Sequence, residues 1–194
     1  DIDTYMGAAA FQSADAVKVT AEDGSEQVLE AAHFIIATGA HSLVLPWMGV
    51  DGEKVVTYTE AILSEDRPSS AIIIGGGAIG CEFATIWNSY GSEVTIVEML
   101  PTLLPNEDEE VSKELEKQFK RAKINVKSGH KVEKIEKTDS GVKVTVSTDE
   151  GEEVLEAEQA LVAIGFRPNT EGIDLDKAGV QLNDRGFIAV NETM

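Results

Sequence analysis

The sequence predicts an α/β fold: a parallel sheet with helices on both faces and an antiparallel β-meander attached. Three observations carry that prediction. The apolar tetrapeptide Ala71-Ile72-Ile73-Ile74 runs into Gly75-Gly76-Gly77-Ala78-Ile79-Gly80 and then into a stretch of helical periodicity. A second apolar run, Val94-Thr95-Ile96-Val97, ends on an acid, Glu98. Short strand signals separated by turn residues lie on both sides of this unit.

The elements follow in chain order. Strand signals occupy 8–11, 17–20, 27–29 and 34–37, with turns at Asp15 and Asp23-Gly24. Pro46, Gly49, Asp51-Gly52 and Pro68 then interrupt any periodicity, so this stretch reads as a connector. A strand at 71–74 precedes a helix at 78–90, with Ile79, Phe83, Ile86, Trp87 and Tyr90 predicted on one buried face. Gly91 is the helix stop. A strand at 94–98 follows. Pro101 and Pro105 break the chain before a second helix at 107–122, with acids in its first turn. Val111, Leu115 and Phe119 are predicted on its inner face. Strand signals resume at 124–127, 132–136, 142–147, 153–155 and 160–164.

The glycine run carries the chemistry. In a G-x-G-x-x-G motif between strand and helix, Gly75 permits the tight turn and Gly77 lets the backbone approach a pyrophosphate. Gly80 allows helix and strand to pack closely. The helix N-terminus offers free N–H groups and a partial positive charge to the phosphates. Glu98 follows Gly75 by 23 residues (98 − 75), close to the spacing at which an acid accepts hydrogen bonds from a ribose. Such a carboxylate repels a 2′-phosphate, and no Arg or Lys follows it until Lys113. The site therefore reads as a Rossmann-like site selective for NAD over NADP.

Composition narrows the function classes. There are 35 acids against 16 bases, a net charge of −19. That argues against nucleic acid or an anionic membrane as partner, because both need a basic face. No apolar run reaches the roughly 20 residues of a membrane span, and no signal peptide is expected. A single Cys excludes an internal disulfide framework and suits a reducing cytoplasm. The chain opens on Asp1 rather than Met, as expected of a trimmed chain.

One segment pair repeats. Val28-Leu29-Glu30-Ala31 returns as Val154-Leu155-Glu156-Ala157, and Phe34-Ile35-Ile36-Ala37-Thr38-Gly39 parallels Ala160-Leu161-Val162-Ala163-Ile164-Gly165. Both pairs are 126 residues apart (154 − 28 and 165 − 39). Each copy is a meander followed by an apolar strand. The second copy follows a nucleotide-binding half and the first does not. A longer parent protein, with an earlier nucleotide domain before residue 1, is the expectation.

Ile74-Gly75-Gly76-Gly77-Ala78-Ile79-Gly80-Cys81-Glu82-Phe83-Ala84 closely resembles the NAD fingerprint of dihydrolipoamide dehydrogenases, flavoprotein disulfide reductases of the glutathione reductase type. Ile35-Ile36-Ala37-Thr38-Gly39-Ala40 looks like the family's FAD-touching strand. Ala163-Ile164-Gly165-Phe166-Arg167-Pro168-Asn169-Thr170 resembles the segment that closes the NAD domain. Phe166 stands where an Arg is common.

The resemblance implies that residues 1–45 are a remnant of the FAD domain, 46–70 a connector, 71–168 the NAD-binding domain and 169–194 the return toward the FAD domain. It implies NAD contacts from Gly75, Gly76, Gly77, Ala78, Ile79, Gly80, Glu82, Glu98, Val132, Ala163 and Gly165. Val132 falls on the adenine side and Gly165 on the nicotinamide side. Ala9, Thr38, Gly39 and Ala40 match FAD-contacting positions of the parent enzyme. Ala78 replaces the bulky aromatic that gates the nicotinamide pocket in glutathione reductases, leaving that pocket open. Glu82 is near the flavin in the family, paired with a lysine of the FAD domain, and is expected to be exposed here. The redox disulfide, the first flavin loop and the dimerisation domain have no counterpart in the sequence. These residues alone are therefore expected to bind no FAD and to be inactive. The parent is expected to be a homodimer that passes hydride from reduced FAD to NAD while oxidising dihydrolipoamide. An NADH oxidase, an NADH peroxidase, a mercuric reductase and a free NAD-sensing module are the alternatives.

No residue is assigned a catalytic role. Cys81 reads as a packed small hydrophobe. His33, His41 and His130 are scattered singly, and the acids at 107–110 read as a helix first turn, so no metal site is expected.

Overall fold

The computed structural model describes residues 2–149 and 151–194. Its strands are β1 (Ala8–Ser13), β2 (Ala16–Thr20), β3 (Glu26–Glu30), β4 (Ala40–Ser42), β5 (Val55–Val56), β6 (Ser70–Ile74) and β7 (Glu93–Glu98). They continue as β8 (Asn125–Ser128), β9 (Lys131–Thr138), β10 (Gly141–Thr148), β11 (Gly151–Ala157), β12 (Gln159–Val162) and β13 (Phe166–Pro168). The helices are α1 (Tyr58–Leu63), α2 (Ala78–Ser89) and α3 (Glu109–Ala122), with short 3-10 turns at Pro46–Met48 and Leu175–Ala178. The chain forms two compact units: Ser42–Phe166, and the residues up to His41 together with Arg167–Met194.

The larger unit is built on a five-stranded parallel sheet in the order β5-β12-β6-β7-β8. β6 lies at its centre. Ala71, Ile72, Ile73 and Ile74 are all buried, as a continuous apolar run requires of a strand covered on both faces. On one face, Ala71, Ile73, Val94, Ile96 and Leu161 pack against Phe83, Ala84 and Trp87 of α2 and Phe119 of α3. On the other, Ile72, Ile74, Val97 and Val162 pack against Val142, Val144 and Val146 of β10.

The second face is thus covered by the antiparallel sheet β11-β10-β9, not by helices. The reason is visible in β10, whose alternate valines form an apolar face that only another sheet or helix layer can bury. Residues 46–70 do more than connect. Thr57 and Glu60 form a capping box at α1, and Val55–Val56 adds an edge strand beside β12.

Both long helices turn differently from their predicted faces. α2 buries Gly80, Cys81, Phe83, Ala84 and Trp87, while Ile86 and Tyr90 are exposed. Gly80 and Ala84 carry the least bulk, so α2 approaches the sheet there and Ile86 and Tyr90 turn outward. In α3, Ser112 takes the inner position and Val111 is exposed. The Ser112 hydroxyl donates to the carbonyls of Leu104 and Asp108, each at 3.3 Å. Asp108 caps α3, its carboxylate accepting the Glu110 N–H at 2.8 Å.

In the smaller unit, β1, β2 and β3 form an antiparallel meander. The 126-residue offset carries β1, β2 and β3 onto β9, β10 and β11, so the sequence repeat is a repeat of structure. The two copies diverge after the meander. Residues 160–162 lie in β12, between β5 and β6. The equivalent stretch at 34–37, predicted as a strand, joins no ladder among the described residues. A parallel strand needs neighbours to satisfy its backbone, and among the described residues none flanks it. Phe34 instead stacks edge-on against Phe11, with ring centroids 5.2 Å apart.

Candidate functional site

A cavity of about 660 Å³ opens at the carboxyl ends of β6, β7 and β12, where open parallel sheets place their ligands. Its floor is the turn from β6 into α2. Gly75 has φ +109°, and a Cβ there would collide with the Ala163 carbonyl oxygen. Gly75 is therefore demanded by the fold itself. Gly80 is too: a Cβ on it would collide with the Gly75 carbonyl and lie 3.3 Å from Ile73 Cγ2. Gly77 is the opposite case. It has φ −74°, which any residue adopts, and a Cβ would meet nothing within 4 Å. Packing within the chain makes no demand for glycine there.

Glu98 ends β7 at the cavity wall and is 8% exposed. Its Oε2 accepts the Gly76 N–H at 2.6 Å and its Oε1 accepts the Leu100 N–H at 2.7 Å. Two backbone donors hold the carboxylate in place, and each oxygen keeps acceptor capacity for a ligand.

Gly75, Gly77, Ala78, Ile79, Glu98, Val132, Ala163 and Gly165 all line the cavity. Gly76, Gly80 and Glu82 do not. Gly76 and Gly80 are buried beneath it, and Glu82 is exposed on the outer side of α2. Ala9, Thr38, Gly39 and Ala40 are exposed in the smaller unit, where Asn169 Nδ2 donates to the Thr38 carbonyl at 3.0 Å.

The Cys81 thiol is buried beside the turn, with Sγ 3.4 Å from the Gly76 carbonyl. Burial pushes its pKa up to about 12, and the charges of Glu98, Glu82 and Glu116 add to the rise. It is an inert thiol. Among the described residues no group of three His, Cys, Asp or Glu could hold a metal ion.

Sequence reasoning missed part of the wall. The loop after β7 contributes Leu100, Pro105 and Asn106, and His130 with Lys131, the first residue of β9, adds to the wall. Counting cations along the chain to Lys113 overlooked Lys131, which the fold returns to the cavity. Lys131 is paired with Glu133 at 2.9 Å. At the far end Tyr58 and Phe166 meet edge-to-face, with centroids 5.8 Å apart. Tyr58 carried no local signal, because it reaches the cavity by long-range packing, whereas Phe166 adjoins Gly165 in the segment already singled out.

Comparison with known proteins matches this geometry to a family. The family profile described as pyridine nucleotide-disulphide oxidoreductase matches residues 1–194. A dihydrolipoyl dehydrogenase of Mycobacterium tuberculosis is 47% identical over 188 residues, which cover 97% of this chain and 40% of that protein. One of Chlorobaculum parvum is 42% identical over 192 residues, covering 98% of this chain and 41% of the relative. The crystal structure of LpdA from Mycobacterium tuberculosis aligns with a TM-score of 0.82 at 30% identity, covering 94% of this chain and 40% of that one. The chain thus spans about 40% of the length of these relatives. It belongs to the pyridine nucleotide-disulphide oxidoreductase family.

Proposed function

We propose that this chain is the NAD-binding domain of a dihydrolipoamide dehydrogenase. The observation that carries the reading is the open space at Gly77, set between the α2 N-terminus and the Glu98 carboxylate. A glycine that no protein atom requires, at the mouth of a helix N-terminus, suits the close approach of a pyrophosphate. The names of the relatives supply the substrate class.

In this reading Gly75, Gly77, Ala78 and Ile79 cradle the pyrophosphate, and Gly76 and Gly80 shape the cradle from below. Glu98 accepts hydrogen bonds from the ribose hydroxyls. Val132 walls the adenine side, while Ala163 and Gly165 wall the nicotinamide side. Glu82 faces toward the flavin of the complete enzyme. Ala9, Thr38, Gly39 and Ala40, with residues 1–45 and 169–194, contribute to its FAD domain, and the complete enzyme is a cytoplasmic homodimer. When bound, NAD⁺ supplies the hydride-accepting carbon for two electrons that FAD takes from the dithiol. The residues here bind and orient; none moves a proton or forms a bond. Selectivity for NAD rests on Glu98, with Lys131 neutralised at the rim by Glu133.

Calorimetry tests the reading. NAD⁺ should bind and NADP⁺ should bind far more weakly. Glu98→Ala should weaken NAD⁺ binding by about 1.5–3 kcal/mol, the worth of a charge-assisted hydrogen bond. Unchanged affinity in that variant would remove the ribose role.

A further inference from the structure

Gly76 is the most tied residue of the glycine run, although it faces away from the cavity. Its N–H donates to Glu98 Oε2 at 2.6 Å, and its carbonyl accepts the Leu104 N–H at 2.9 Å. A Cβ on Gly76 would press against Leu103 Cδ2 at 2.5 Å and Glu98 Cβ at 3.0 Å. Leu103 itself is fully buried.

Leu104 has φ +48°, in the left-handed region that branched side chains avoid. Such a backbone persists only where its surroundings impose it, and such outliers gather at functional sites. The Leu104 carbonyl accepts the Glu107 N–H at 2.9 Å and the Ser112 hydroxyl at 3.3 Å, and two N–H tethers add to these. The first is the Leu104 N–H to Gly76. The second comes one residue earlier, where Glu116 Oε1 of α3 accepts the Leu103 N–H at 3.1 Å. Glu116 forms no ion pair among the described residues.

We propose that Glu116 is a positioning residue for the dinucleotide. Through the Leu103 N–H it presses the turn at 100–104 against Gly76, and Gly76 in turn orients the Glu98 carboxylate. Glu116 touches no ligand; it acts through the turn. The inference rests on the NAD reading above. Losing the Glu116 oxygen would free the Leu103 N–H and loosen the turn that presents the Leu104 N–H to Gly76. The Gly76 carbonyl would then be held less firmly, and with it the Gly76 N–H, one of the two donors that direct Glu98.

The test uses the chain with Glu116→Ala and Glu116→Gln. Gln keeps an acceptor oxygen and removes the charge. Ala is the strongest helix former, so α3 tolerates it. NAD⁺ affinity is measured by calorimetry, and exchange of the Gly76 and Leu104 amides by NMR without ligand. The Ala variant should bind NAD⁺ about five- to tenfold more weakly and exchange the Leu104 amide faster, as expected for one lost hydrogen bond. The Gln variant should stay within about twofold on both readouts, because the acceptor is preserved. A Gln variant as weak as the Ala variant would overturn the proposal, since charge rather than the hydrogen bond would then matter. Unchanged Leu104 exchange in the Ala variant would overturn it as well. If the unsubstituted chain binds no NAD⁺, both readings fall. If it binds and the Ala variant binds equally well, only the role of Glu116 falls.

Discussion

Replacing Gly77 by Val separates the ligand's demand for glycine from the fold's. At Gly77 the backbone is extended (φ −74°, ψ −173°), and a Cβ meets no atom within 4 Å. Valine adds no strain, and the change at this N-cap costs at most about 1 kcal/mol of stability. Its two methyl groups would fill the space that the proposed NAD reading gives to the pyrophosphate, and so hold the phosphates off the α2 N–H groups. Each lost charge-assisted hydrogen bond is worth about 1.5–3 kcal/mol, so two of them weaken binding by at least about 100-fold. Gly80→Ala is the control. It gains about 1 kcal/mol of helix propensity. Its Cβ collides with the Gly75 backbone carbonyl, which no rotamer can relieve. Overpacking of that kind costs about 1–3 kcal/mol, so Gly80→Ala should lower the thermal midpoint. Calorimetric titration with NAD⁺ and thermal unfolding, run on both variants, give the crossed result: Gly77→Val folded without binding, Gly80→Ala destabilised. A Gly77→Val chain that binds within about threefold of the unsubstituted one would refute the close-approach argument.

Two further outcomes follow from the electrostatics. Cys81, with its pKa pushed up to about 12 chiefly by burial, should resist a thiol reagent at pH 8 in the native state and react fully once unfolded; rapid native labelling would contradict the packing described. Burial raises the pKa of Asp51, but the N–H groups of Val55, Glu53 and Lys54 and the ammonium of Lys137 outweigh it and bring the value to about 2. A depressed carboxylate stabilises the fold above its ordinary value of 3.8, and that contribution is lost as pH falls toward 2. After allowing for solvent screening, Asp51→Asn should remove about 1 kcal/mol at neutral pH and flatten the acid limb of stability, measured by denaturant unfolding from pH 7 to 2. An unchanged acid limb would refute the assignment.

Much of the site was legible because its requirements are local. A positive φ at Gly75, close contact at Gly80 and a free helix N-terminus are all written within six residues. Glu98 stood at the expected spacing, but its burial and its two amide donors did not show. Those donors come from Gly76 and from Leu100, just past the strand end. The helix faces were half legible. Apolar spacing located α2 and α3, but the small residues Gly80, Ala84 and Ser112 decided which side turned inward.

The sequence by itself determined the two long helices, most of the strands, the strand–glycine–helix turn, the terminal acid and the repeated meander. Each of these follows from side-chain period, backbone φ or turn chemistry acting over a few residues. Tertiary structure alone decided three things. It covered the second face of the parallel sheet with β9–β11 rather than helices, because the valines of β10 needed a partner layer. It brought Lys131 and His130 to the same cavity as Gly77. Among the described residues it left 34–37 outside any ladder while their counterparts became β12, because a parallel strand exists only where neighbours accept its hydrogen bonds. Those outcomes depend on contacts between residues far apart in the chain, which no local pattern encodes.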